Sequence, residues 1–413
     1  MNHTPAHLTH SAPHRWSLLF GVWLLYMAFG LVATSLAPLV LAIENDLELS
    51  HAAMGSVMGA WQLVYIFSAV PCGALLDHIG ARRALTIGAL IIALSALGRG
   101  FADGYVALLL GVMLFGLGGP IISVGAPKVV TQFFAGSDRG FAMGIYMTGP
   151  AIGGVVSLTM THSTLLPAFD GDWRAVLYLW GAFGMLSALI WWLVSRPLRT
   201  DAQTPRIAAV ARPAQRRYLG TLLREPAVQL VLMMSVGVFL INHGLNNWLP
   251  ELLRLGGMSI IEAGYWASIP TVIGIFGSLL IPRLATPERR YHILVALCLA
   301  AALATLLLQY THPGTMFTGL LLQGIARSSL MTVLVLTLVE LPAIGERHAG
   351  TASGLFFSAA EVGGVLGPLG LGLMLDLTGG FSAGLVVLTL IALALAISAW
   401  YIRTLVARST SLE

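Results

Sequence analysis

The 413 residues are 57% hydrophobic and only 10% charged, with a mean hydropathy of +0.84. Soluble domains carry about 25% charged residues, so this composition excludes a soluble globular protein and describes a chain that crosses a membrane many times. The formal charge of +4 and the pI of 9.3 come from arginines between the apolar segments, a pattern that reports topology and argues against nucleic-acid binding.

The first 16 residues are polar and hold four histidines at irregular spacing; they read as a tail rather than a metal-binding tract. Twelve apolar segments follow, at 17–43, 51–76, 84–100, 105–133, 140–163, 174–195, 227–250, 258–282, 292–310, 314–340, 351–376 and 381–402. A spanning helix needs roughly 20 apolar residues. The segments lack the short alternation of a membrane barrel, and isolated strands cannot satisfy their backbones in lipid, so each is expected to be a helix. The fold class is therefore an all-α polytopic membrane protein. Expected divisions are a cytoplasmic tail at 1–16, a six-helix bundle at 17–195, a cytoplasmic linker at 196–226, a second bundle at 227–402 and a tail at 403–413. Segment 1 is too long for a cleavable signal and lacks a small-residue cleavage site. Cys72 and Cys298 lie in apolar segments without a pairing pattern, so no disulfide is expected.

With twelve crossings and a cytoplasmic start, one side collects seventeen arginines, seven of them between Arg196 and Arg224, while the other has Arg99, Arg174 and Arg254. The excess places both termini in the cytoplasm and the chain in the inner (plasma) membrane.

The two halves repeat each other. At an offset of 210, Gly140, Ala142, Gly144, Gly153 and Gly154 fall on Gly350, Ala352, Gly354, Gly363 and Gly364. Parallel six-helix repeats about an axis along the membrane normal are one of the plans of secondary transporters. In this register Glu361 stands where the first half has Ala151.

Three motifs resemble the major facilitator superfamily, and the resemblance covers essentially the whole chain. Gly73-Ala-Leu-Leu-Asp77-His-Ile-Gly80-Ala-Arg82-Arg83 is similar to the family's G-x-L-x-D-R-x-G-R-R loop, departing at His78. Gly149-Pro150-Ala-Ile-Gly153-Gly154 is similar to a segment-5 motif often reported in proton-coupled antiporters. Asn247-Trp248-Leu249-Pro250 resembles the W-L-P helix end of anion-transporting branches. The arginine that the family leads one to expect near Val112 is missing. The resemblance implies two six-helix bundles, with segments 1, 4, 7 and 10 and parts of 2, 5, 8 and 11 lining a central path.

Asp77 can latch onto the N-terminus of segment 11, which carries about half a positive charge, with Arg82 and Arg83 adding pairs across the halves; the alternative is that the arginines only enforce topology. Small residues let helices approach closely, so the Gly149–Gly154 stretch reads either as tight packing between the two halves or as an antiport motif.

Arg327 and Glu361 each sit near the middle of a long apolar run, where a charge is costly and usually faces a polar cavity. Arg327 shares a helix face with Gln323, and its planar fork suits a carboxylate; the alternative is a permanent Arg327–Glu361 pair. Glu361 shares a face with Ser358 and Gly354 and is the candidate proton carrier. Lys128, the chain's single lysine, either snorkels to the interface or makes a second anion contact. His243, Asn242, Asn246 and Asn247 form a polar wall in segment 7, answered from the first half by Tyr26, Gln62 and Tyr65. The candidate substrate contacts are thus Arg327, Tyr65, His243, Asn247, Gln323, Gln62, Tyr26 and Lys128, with Glu361 for coupling and Asp77, Arg82 and Arg83 for gating.

No phosphate-binding loop, paired metal-ligand spacing or soluble catalytic domain is present, so an enzyme is excluded and no cofactor or metal is expected. The expected function is a monomeric secondary transporter of a small anion, an organic carboxylate taken up by proton symport. The alternatives are an anion exchanger and a proton antiporter that exports amphiphilic drugs.

Overall fold

The computed structural model describes residues 12–134, 136–196, 223–341 and 344–410. Among them, twelve helices are long and apolar enough to cross a membrane. They are α1 (Ala12–Thr34), α2 (His51–Ile79), α3 (Ala81–Gly100), α4 (Tyr105–Phe133), α5 (Gly136–Met160) and α6 (Trp173–Val194) in the first half. The second half holds α7 (Pro226–Leu255), α8 (Ile260–Leu284), α9 (Arg290–Leu307), α10 (Pro313–Val339), α11 (Gly345–Thr378) and α12 (Ser382–Thr410). Most of the linker expected at 196–226 lies outside the described residues. Of the two expected tails, 12–16 belong to α1 and 403–410 to α12; hydropathy sees only the stretch that suits lipid, and the helices run on into polar residues.

Local chemistry sets the helix ends. Ser50 accepts from Ala53 N and starts α2. Ser259 and Glu262 form a reciprocal capping box at α8. Pro226 and Pro313 occupy the first positions of α7 and α10, where a missing N–H costs nothing. After α1 the chain turns at Ala37–Leu39 and continues as a short helix, Val40–Leu47, along the same end of the bundle.

In the first bundle α1 packs on α5, α2 on α4, and α3 on both α4 and α6; in the second, α7 packs on α11, α8 on α10, and α9 on both α10 and α12. The equivalence reaches single glycines. A Cβ at Gly153 would collide with the α1 backbone at Met27 and Leu31, and one at Gly363 with the α7 backbone at Val236 and Leu240. This corrects the expectation that the Gly149–Gly154 stretch packs the two halves together. Gly149 lies against Trp23 and Met27, and Pro150 lies against Gly30, all of α1. The motif joins two helices of the same bundle, because the small residues of α5 face α1.

The two halves meet through α2 on α11 and α5 on α8, and they meet at one end. On the side away from the termini, Gly55 and Gly59 of α2 press on the α11 backbone at Pro368 and Val365, Gly372 of α11 on His51, and Gly264 of α8 on Leu158 of α5. On the termini side, Gly73, Gly140, Gly144 and Gly354 would meet nothing within 4 Å of an added Cβ. The space between the bundles is therefore shut on the far side and open on the termini side.

Candidate functional site

The α10 turn carrying Gln323 and Arg327 directs both side chains toward α7. With Val238, Ile241, Asn242 and Leu245 of α7 they line a cavity of about 20 Å³, room for about one water. Arg327 is half-buried, and its Nη1 donates to Thr271 Oγ1 on α8 at 3.3 Å. None of the ion pairs among the described residues involves it. The permanent Arg327–Glu361 pair is therefore absent in this conformation.

Glu361 is 5% exposed, and its Oε2 is buried without a hydrogen-bond partner. A Cβ at Gly364 would meet this oxygen at 2.6 Å and Gln62 Cγ at 2.9 Å. The glycine thus makes room for the carboxyl and for Gln62 on the α2–α11 seam. Gln62 is fully buried and crosses between the halves, with Nε2 3.1 Å from Nδ1 of His243 on α7. Trp61 meets the His243 ring edge-on at 5.8 Å.

On the first-half wall, Tyr65 Oη lies 2.9 Å from Ser123 Oγ, and Tyr26 Oη donates to the Ser123 carbonyl at 3.3 Å. Tyr26 also meets Tyr146 edge-on at 5.3 Å. Tyr26, Gln62, Tyr65, His243 and Glu361 thus occupy one mid-depth layer. Arg327 and Gln323 stand beside it, near enough for Arg327 to act electrostatically on His243. Asn247 donates to the His243 carbonyl at 2.8 Å, so its amide serves the α7 backbone.

The termini-side candidates are placed apart from this layer. Lys128 donates to Asp77 Oδ1 at 2.6 Å, joining the last turns of α4 and α2. Neither Lys128 nor Asp77 belongs to the polar layer here, and the cation expected to snorkel or to touch anion holds an exposed carboxylate instead. Arg82 donates to the Trp192 carbonyl at 3.2 Å and lies over the Trp192 ring at 3.8 Å. Its partners are in its own half rather than across the seam, because α6 ends beside the start of α3. Arg83 is exposed.

A polar layer between two pseudo-symmetric six-helix bundles, open on one side, is transporter architecture, and residues 18–368 match the Major Facilitator Superfamily. The chain belongs to that superfamily. Its relatives include the quinolone resistance transporter of Acinetobacter baumannii, 27% identical over 84% of each chain. The hexuronate transporter of Bacillus subtilis (strain 168) is 24% identical over 82% of this chain and 83% of its own. The probable galactarate/D-glucarate transporter GudP of Escherichia coli (strain K12) is 22% identical over 83% of each. Among solved structures, a bacterial homolog of the human lysosomal transporter Spinster, inward-facing and unoccupied, superposes with a TM-score of 0.79 at 19% identity, covering 97% of this chain and 99% of that one. The nucleoside transporter NupG gives 0.77 at 14% identity over 94% and 98%. These likenesses establish the superfamily fold, and the chain is a membrane transporter rather than an enzyme.

Several residues of this superfamily member escaped the sequence reading. Ser123 and Thr271, which hold Tyr26, Tyr65 and Arg327, are single hydroxyls in apolar runs. Arg99, counted only as an arginine of the side away from the termini, is 1% exposed. Its Nη1 donates to the Val32 carbonyl at 2.8 Å and to Ser35 Oγ at 3.2 Å. The guanidinium missing near Val112 on α4 is thus supplied to the interior of the first bundle from α3, where it lies over Phe115 of α4.

Proposed function

We propose that this transporter imports a small organic carboxylate with a proton, residing in the inner membrane as a monomer with both termini in the cytoplasm. The arginine excess supports that orientation, which makes the conformation described here inward-open. One observation carries the substrate assignment: Arg327 holds a charge at mid-depth with no carboxylate paired to it among the described residues. A guanidinium is costly there unless an anion arrives, and its fork is shaped for a carboxylate. Tyr26, Tyr65 and Ser123 on the first-half wall supply hydroxyl partners for a polar cargo. The hexuronate and galactarate/D-glucarate relatives support a hydroxylated acid. Glu361, on the same layer with its Oε2 buried and without a hydrogen-bond partner, is the group we assign to carry the proton.

The test is ligand-induced thermal stabilisation of the purified protein, since a ligand that binds the native state raises its melting point by mass action. Hexuronates and aldarates are expected to stabilise the wild type. A charged hydrogen bond contributes about 1.5–3 kcal/mol, so Arg327→Lys, which keeps charge but loses the fork, should weaken binding by roughly ten- to a hundredfold. Arg327→Ala should abolish the shift while still folding. Equal carboxylate shifts in wild type and Arg327→Ala would overturn the assignment.

A second reading draws on the quinolone resistance relative. A quinolone also presents a carboxylate, so the same arginine would serve an exporter. Stabilisation by quinolones and not by sugar acids, with proton-driven efflux from vesicles, would select that reading.

A further inference from the structure

The far-side gate holds a set of titratable groups that the central layer does not use. Asp376, in the last turn of α11, accepts from His51 N at 3.0 Å and Ala52 N at 2.7 Å. One carboxylate thereby caps the N-terminus of α2 across the boundary between the halves, where the helix dipole favours a negative charge. The His51 imidazole then reaches back to the short helix after α1, with Nδ1 2.9 Å from Glu44 Oε1. Its other neighbour is the edge of Trp248 on α7 at 6.0 Å.

Two further charged groups come from the end of α7. Glu251 is 4% exposed and is held in a two-pronged pair by Arg254, at 2.8 and 2.6 Å. Glu251 and Asp376 both act electrostatically on Glu44. The gate therefore closes around three carboxylates. Asp376 is met by two backbone N–H groups and Glu251 by a guanidinium. Among the described residues Glu44, 6% exposed, has His51 as its hydrogen-bond partner, and Arg254 also acts on it electrostatically, one guanidinium against three carboxylates. With a neutral imidazole that pair keeps a net negative charge, buried beside two others; with one more proton it is balanced.

We propose that the far-side gate is a second proton-binding site, at which closure buries Glu44 against His51 and takes up one proton shared by that pair. The His51 side chain is 34% exposed, so the proton comes from and returns to the far-side water. When the bundles separate on that side, Glu44 hydrates, its like-charged neighbours move off, and the extra proton has nothing to hold it. The closed gate binds more protons than the open one. Acid on the far side therefore favours the conformation seen here, and alkali releases it. The inference is independent of what the central layer carries, because it concerns the gate alone.

The experiment reads the gate directly, without substrate. Spin labels at Asp103→Cys and Thr311→Cys, in a Cys72→Ala/Cys298→Ala background, report the far-side separation of the two bundles in reconstituted full-length protein. Between about pH 5.5 and 8.5 the closed-to-open ratio should fall with rising pH. Its steepest slope is about tenfold per pH unit, the limit for a single proton. Glu44→Gln and His51→Gln should each flatten the profile, and either one suffices if the other does not fold. In a Glu361→Gln background, which removes the proton carrier assigned to the central layer, a slope should persist and should still be flattened by Glu44→Gln or His51→Gln. Asp376→Asn should keep a slope but move it toward lower pH, because it removes one of the charges that hold the proton as well as the cap. A flat wild-type profile overturns the proposal. So does an undiminished slope in Glu44→Gln or His51→Gln, or a slope that disappears in Glu361→Gln.

Discussion

Arg327 and Glu361 are a base and an acid on neighbouring helices, and among the described residues neither is paired with the other or with another ionisable side chain. That arrangement suits coupled transport, in which cargo and proton arrive together and leave together. Replacing Glu361 with Gln keeps the size and removes the titratable proton. We expect Glu361→Gln vesicles to lose accumulation driven by an imposed pH gradient while retaining counterflow of labelled substrate, since exchange moves no net proton. Retained pH-driven accumulation would remove Glu361 as the carrier and leave His243, the other titratable group on the layer, as the next candidate. Both residues were legible in the sequence because a charge inside a long apolar run stands out on cost alone. Their surroundings were not. Ser123 and Thr271 look like any hydroxyl in a membrane helix, where serine and threonine commonly bond their own backbone. Lys128 was conspicuous as the one lysine, but its partner Asp77 lies 51 residues away, and nothing local couples them.

At the scale of helices, the seams within each bundle are built on glycines whose replacement has a predictable sign. A Cβ at Gly153 would lie 2.7 Å from Leu31 N, and one at Gly363 2.8 Å from Leu240 N. These neighbours are backbone and cannot swing aside, so overpacking should cost about 1–3 kcal/mol per site. Gly153→Ala and Gly363→Ala are therefore expected to lower the melting temperature of the purified protein. Gly144→Ala, whose Cβ would meet open space in this conformation, should leave it unchanged. Equal melting of all three would refute the packing argument. The repeat of these glycines at a fixed offset was visible in the sequence and located both seams. Which helix they faced was not visible, because a small residue opens room without naming the neighbour that fills it. The cores of all twelve helices were likewise legible from hydropathy. Their ends were set by caps and polar turns to which hydropathy is blind.

The whole molecule alternates if the far-side seam opens as the termini-side seam closes. The register of α2 on α11 shows what that second closure looks like. The two helices run antiparallel, with His51 on Gly372, Gly55 on Pro368 and Gly59 on Val365. Carried to the other end of α2, the same register would set Asp77 against the first turn of α11, as the latch expected from the sequence requires. In the open state Asp77 is instead paired with Lys128, an exposed ion pair worth little, so exchanging partners costs little. The same register brings Gly354 of α11 onto the middle of α2 when the termini side closes. In the present conformation a side chain at Gly354 meets nothing within 4 Å. A large residue there should therefore leave this state intact and obstruct the other. We expect Gly354→Trp to melt like the wild type and to keep its carboxylate-induced stabilisation, because the polar layer stays open from the termini side. Substrate uptake into vesicles should fall to the level of empty vesicles, and cysteine labels on the far side should stay shielded. Normal uptake by a folded Gly354→Trp protein would mean that α2 and α11 do not close in this register.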